Sequence, residues 1–184
     1  MSLTQSNMMP LGTKAPSFNL PDVVSGKVLS LEELQSEKGT VVMFICNHCP
    51  YVKHIQKDLV ELAHEYKKKG ISFVGINSND IENYPEDSPK NMKKEAKKWR
   101  YSFPYLFDET QSIAKAYQAA CTPDFYIFGK DLKCVYRGRM DESSPGNNIP
   151  VTGKDLKMAL DALLSEKPIS KDQKPSMGCN IKWK

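Results

Sequence analysis

The chain has 184 residues, 40% apolar and 26% charged, with 26 Lys/Arg against 22 Asp/Glu for a formal charge of +4. That length and composition suit one globular domain with a single substantial core, and the charge is too balanced to argue for nucleic acid. No run of 18 apolar residues occurs, and the opening MSLTQSNMMPLG has neither a basic nor an apolar signal region, so the reading is a cytoplasmic protein with no membrane partner.

Residues 1–9 are read as a disordered or leader segment ahead of a domain over 10–166. Residues 13 to 40 hold two short extended pieces around Ser25-Gly26, then a short polar helix. TVVMFI, residues 40 to 45, is β-branched and apolar throughout, as in a strand buried on both faces. Pro50 suits a first helical position, which makes Cys49 the N-cap of a helix from about 50 to 69, with Val52, Ile55, Leu59, Leu62, Ala63 and Tyr66 on one stripe. ISFVGINS, residues 71 to 78, is a second buried strand, and the default strand-helix-strand crossover makes the pair parallel.

A loop leads to Pro89 and a lysine-rich helix with six Lys/Arg and one Glu over residues 90 to 100. Met92, Ala96 and Trp99 give it a packing face, and the lysines are read as its solvated side. FPYLFD is a short strand, and Asp108 is placed to cap a helix running through Ile113 and Tyr117. DFYIF and KCVYRGR form an antiparallel hairpin across GKDL. Thr152 and Asp155 resemble a capping box for a last helix carrying Leu156, Ala159, Leu160 and Leu163. Residues 167–184 read as an irregular tail, yet Cys179, Ile181 and Trp183 are residues a free tail has little reason to expose, so it is expected to pack back near the active site.

Chemistry concentrates where the first buried strand meets its helix, in ICNHCPYV. Sites in open α/β sheets lie at the carboxyl ends of strands, and a cysteine at a helix N-terminus has its thiolate stabilised by the amides and the dipole. A protonated His48 would add positive charge. Cys49 is therefore the expected nucleophile. Cys46, three residues upstream, reads equally as a redox partner or a buried strand-end thiol. Cys121 precedes Thr122-Pro123, where a cis bond would present backbone groups to a substrate. Cys134 reads as packing, and Cys179 as a resolving thiol carried by the tail. The close grouping of Cys46, His48 and Cys49, with Cys121 or Cys179, also leaves open a Zn(II) or Cu(I) module.

The blocks APSF, FICNHCPYVKH, INSND, FPYLFDE, CTPDFYIF, YRGRMD and GCNIKW resemble the thioredoxin-fold redoxins related to AhpC/TSA peroxiredoxins. The resemblance implies a thioredoxin-like three-layer α/β/α sandwich with a central mixed sheet and an N-terminal extension. It also implies a thiol-disulfide oxidoreductase in which Cys49 attacks and a second thiol, Cys46, Cys121 or Cys179, resolves. Val52 stands where thioredoxins carry their second cysteine. The peroxiredoxin motif P-x-x-x-T/S-x-x-C is absent, since Val42 and Cys46 occupy its Pro and Thr positions. A thiol peroxidase is thus the alternative, and Arg137 and Arg139 read as surface or ion-pair residues. The implied partners are a protein or small-molecule disulfide, or a peroxide, and an external thiol reductant. No cofactor or metal is required, because the thiols carry the electrons.

Overall fold

The computed structural model describes residues 2–184. The chain opens with β1 (Leu3–Gln5). Then β2 (Asn19–Pro21) and β3 (Val28–Ser30) pair antiparallel. Ser30 starts α1 (Leu31–Leu34) with a reciprocal capping box: its hydroxyl accepts from the Glu33 amide and its own amide donates to the Glu33 carboxylate. The apolar run becomes β4 (Thr40–Phe44), buried at every residue. Next come α2 (Pro50–Lys68), β5 (Ser72–Asn77), α3 (Pro89–Trp99), β6 (Tyr105–Phe107) and α4 (Ser112–Ala116). The chain continues through β7 (Cys121–Thr122), β8 (Asp124–Phe128), β9 (Cys134–Gly138), α5 (Lys154–Leu164) and β10 (Met177–Asn180).

The central sheet has strand order β6-β5-β4-β8-β9. Its first three strands are parallel, and β8 and β9 join antiparallel, so the sheet is mixed. One face buries Val41 and Met43 against Ile55, Leu59 and Leu62 of α2, Met92 of α3 and Leu160 of α5. The other buries Val42 and Phe44 against Leu31, Ala114, Tyr117 and the opening segment at Met9 and Phe18. This alternation along β4 fixes three layers, since successive side chains point to opposite faces. Each large side chain so buried contributes about 1.5–3 kcal/mol, which seats α2 and hence Cys49 rigidly. Among the described residues, no helix is long and apolar enough to cross a membrane.

Both termini differ from the sequence reading. Leu3–Gln5 lies in the segment expected to be disordered or a leader, but it pairs with β10, which lies in the tail expected to be irregular. On its other edge β10 pairs with β7, giving a three-stranded sheet that ties both ends to the domain. Neither segment has enough alternating apolar residues to announce a strand; β10 forms against β7 and β1, and β1 forms against β10.

The predicted caps also rearrange. Gly153, at φ +67°, is the N-cap of α5, and the Thr152 and Gly153 amides donate to Asp141 at 2.8 and 2.6 Å. Asp155 instead pairs with Arg139 at 2.6 Å, so the Thr152/Asp155 capping box does not form. Asp108 lies one turn before α4 rather than at its N-cap, yet its carboxylate reaches the Ala114 amide at 2.9 Å and does a cap's work from there.

Candidate active site

The strand-to-helix turn places Cys49 at the N-cap of α2 with Pro50 in the first turn. The Cys49 sulfur lies 3.2 Å from the Thr122 carbonyl oxygen and 2.8 Å from the Cys179 sulfur. The Cys46 sulfur is 3.3 Å from Thr122 Oγ1. Thr122 thus touches both motif cysteines, and the Thr122-Pro123 bond is cis. Cys46, Cys49, Cys121 and Cys134 are free thiols.

Cys179 reaches the site because β10 runs antiparallel to β7 in a register that sets Cys179 opposite Thr122. Gly178 permits that approach, since a Cβ there would overlap the Thr122 carbonyl. The tail is held beyond this point too: the Ile181 amide donates to Ala120, the Lys182 amide to Asn79 Oδ1, and Gln111 Nε2 to the Lys182 carbonyl. Cys49 is 0% exposed under this strand.

The three sulfurs have divergent acidities. Cys49 is lowered from 9.0 to about 5, chiefly by a hydrogen bond from Cys46; burial opposes this, and Cys179, the Val52 amide and Thr122 add to it. Burial, pairing with Cys49 and the Asp87 charge push Cys46 well up. Burial and pairing with Cys49 push Cys179 up to about 12, against a smaller downward pull from Lys182. One negative charge is therefore held at Cys49 while its neighbours stay protonated and donate to it. The Thr122 carbonyl accepts only from the protonated thiol.

His48 does not tune that charge. Its Nδ1 lies 2.6 Å from Asp87 Oδ2, and its ring stacks on Tyr84 at 5.1 Å. Asp87 is fully buried, and it also accepts from the Asn47 amide at 2.7 Å and from Asn79 Nδ2 at 2.8 Å. Burial raises this carboxyl, but the bonds from His48, Asn79 and the Asn47 amide outweigh it and hold it below the usual range. Charge-assisted bonds of this kind fix the 47–49 loop. The sequence reading missed Asp87 because nothing in the loop sequence marks a residue 39 positions from His48. Cys46, His48 and Asp87 offer S, N and O atoms within 4.8 Å of one another. That trio excludes Cys49, Cys121 and Cys179 from the metal set first considered, and both Asp87 oxygens are already engaged.

Cys121 is displaced from the site by strand alternation. Thr122 faces Cys46 and Cys49, so its neighbour projects to the opposite face, where its sulfur lies 3.8 Å from the Pro123 carbonyl. Its thiol is pushed strongly up by burial. Cys134 packs in the core beneath Met9 and Phe18, as expected of a sheet-face residue, and burial raises it to about 11. Arg137 donates to the Met9 carbonyl and Gln173, and Arg139 to Asp155, so neither is directed at Cys49.

The crystal structure of an uncharacterised conserved protein from Geobacillus kaustophilus matches the whole chain, and 97% of that protein, at TM-score 0.99 and 62% identity. A thiol:disulfide interchange protein of the thioredoxin family from Chlorobium tepidum shares the fold at TM-score 0.63 and 20% identity, over 85% of this chain and 99% of its own. The thiol-disulfide oxidoreductase ResA of Bacillus cereus is 27% identical over 69% of this chain and 68% of its own length. Residues 11–137 match the AhpC/TSA family, and the chain belongs to that family.

Proposed function

We propose that the protein is a thiol-disulfide oxidoreductase in which Cys49 attacks and Cys179 resolves. The Cys49 thiolate displaces one sulfur of a substrate disulfide, which leaves as a thiolate, and a mixed disulfide forms on Cys49. The Cys179 thiolate then attacks the Cys49 sulfur, releases the second substrate thiolate and leaves a Cys49–Cys179 disulfide. An external dithiol returns both to thiols. The substrate gains two electrons and the reductant supplies them.

The observation that carries this reading is the 2.8 Å separation of the two sulfurs, under an ångström more than an S–S bond of about 2.05 Å. The acidities support the order of events. Cys49 is the one thiol lowered into the range of neutral pH. Once its charge is consumed in the mixed disulfide, one cause of the high Cys179 value disappears, and the Lys182 charge remains to favour the second thiolate. Since Cys49 is wholly covered, a substrate reaches it after β10 parts from β7. The family relatives named thiol-disulfide oxidoreductases support the same class. A peroxidase reading lacks the Pro and Thr of the peroxide motif, which are Val42 and Cys46 here.

Mapping disulfides in the oxidised protein tests this, together with reductase assays of Cys49→Ser and Cys179→Ser. The expected results are a 49–179 bond, no turnover without Cys49, and an accumulated mixed disulfide without Cys179. A 46–49 bond in the oxidised wild type would overturn the assignment of the resolving thiol.

A further inference from the structure

A cleft of about 130 Å³ opens beside the buried thiols, between the first turns of α2 and the loop joining β9 to α5. Tyr51, Pro123 and Met177 are among its lining residues. Each lies within two residues of a group around the Cys49 sulfur, namely Cys49 itself, Thr122 and Cys179. The cleft is formed with β10 in place, and Met177 at its rim is 43% exposed, so it is open to solvent while Cys49 is shut.

Three residues of its wall carry a buried polar atom with no close hydrogen-bond partner among the described residues: His54 Nε2, one turn into α2, Ser143 Oγ in the loop, and Ser176 Oγ. Ser176 faces the buried Asp124 carboxyl, whose charged form it favours, which leaves His54 and Ser143. Buried polar atoms are nearly always paired, so a pair left without partners marks a place where ligand atoms would be stabilised. The charged groups of the wall are otherwise engaged. Arg139 is bound to Asp155 at 2.6 Å, and Asp141 accepts from the Ser143, Thr152 and Gly153 amides. Glu142 lies at the exposed surface. What the enclosed wall leaves unpaired is therefore one hydroxyl and one imidazole nitrogen, each able to donate or accept, while the Glu142 carboxylate is solvated. Its volume is well below the roughly 300–1,000 Å³ of a pocket for a whole cofactor.

We propose that this cleft is a substrate subsite that takes a neutral amide group, from the main chain or from an Asn/Gln side chain, next to the reactive cysteine of a polypeptide. The proposal rests on the oxidoreductase reading and deepens it: the substrate is a protein disulfide, docked at His54 and Ser143 before β10 releases Cys49. An amide has both a donor and an acceptor, which pairs both orphaned atoms at once.

The test is binding, which needs no turnover. Two capped nonapeptides with serine in place of cysteine are titrated by calorimetry, one with alanine at all other positions and one with asparagine on each side of the serine. Binding to wild type is expected to weaken about tenfold in His54→Ala/Ser143→Ala and to be largely kept in His54→Gln. The Cys49 thiolate titration, unchanged in the variants, reports that the fold is intact. Equal binding of both peptides assigns the main-chain amide, and binding of the asparagine peptide alone assigns the side chain. Failure of both peptides to bind, or equal binding to wild type and the double variant, overturns the subsite. If peptides bind as expected but wild type reduces neither polypeptide nor small-molecule disulfides, the subsite stands and the oxidoreductase reading fails; reduction of small-molecule disulfides alone overturns the polypeptide substrate.

Discussion

Cys46→Ala removes the largest contribution to the acidity of Cys49, the hydrogen bond from the neighbouring thiol. A hydrogen bond to a charged group contributes about 1.5–3 kcal/mol, and one pKa unit corresponds to about 1.36 kcal/mol. The Cys49 midpoint should therefore rise from about 5 by roughly 1–2 units, to between about 6 and 7. At pH 6 the thiolate population would fall from roughly nine tenths to between a half and a tenth. The assay is ultraviolet thiolate absorbance of the fully reduced protein titrated with pH, using Cys49→Ser as the blank. The window is clean, because burial holds Cys134 at about 11 and Cys179 at about 12, and pushes Cys46 and Cys121 strongly up. Cys46→Ser, which keeps a donor, should stay near 5. A wild-type midpoint near 9, or an alanine variant that titrates with wild type, would refute the reasoning.

Gly178→Val should drive β10 off β7, because a side chain there overlaps the Thr122 carbonyl; alkylation of Cys49 followed by mass spectrometry should accelerate at least about tenfold if the strand is the cover. Stability of the reduced protein against pH should show two opposed groups. Cys49, lowered from 9.0 to about 5, binds fewer protons folded than unfolded, so stability rises between pH 5 and 9. Asp124, raised from 3.8 to about 7 by burial, binds more protons folded, so stability falls between pH 4 and 7. The profile should be nearly flat from 5 to 7, climb from 7 to about 8, and then turn down, because burial keeps Cys46, Cys121, Cys134 and Cys179 protonated while the same thiols ionise in the unfolded chain; urea unfolding of Cys49→Ala should lose the climb, and a profile unchanged by that substitution would contradict the assignment. Asp87→Asn should lower stability by about 3 kcal/mol, since it removes a buried charge that accepts three hydrogen bonds; equal urea midpoints would show that the loop is held otherwise.

Local signals in the chain were enough to place the working cysteine. The uniformly apolar Thr40–Phe44, the proline after Cys49 and the 3.6-residue stripe of α2 each act over a few residues, so β4, the N-cap and the helix were legible directly. The five-stranded mixed sheet followed from the order of such elements and from the family resemblance carried by the motifs. What surrounds the sulfur was not legible in the same way. Asp87 takes His48 away from Cys49 across 39 residues, and Cys179 arrives across 130. The sequence offered Cys46, Cys121 and Cys179 as candidates for partner without choosing among them; strand alternation turns Cys121 away, while the register of β10 on β7 brings Cys179 to 2.8 Å. Hydrophobic period and capping are written in neighbouring residues. Register between distant strands and the fit of a glycine against a carbonyl exist only once the chain has closed on itself.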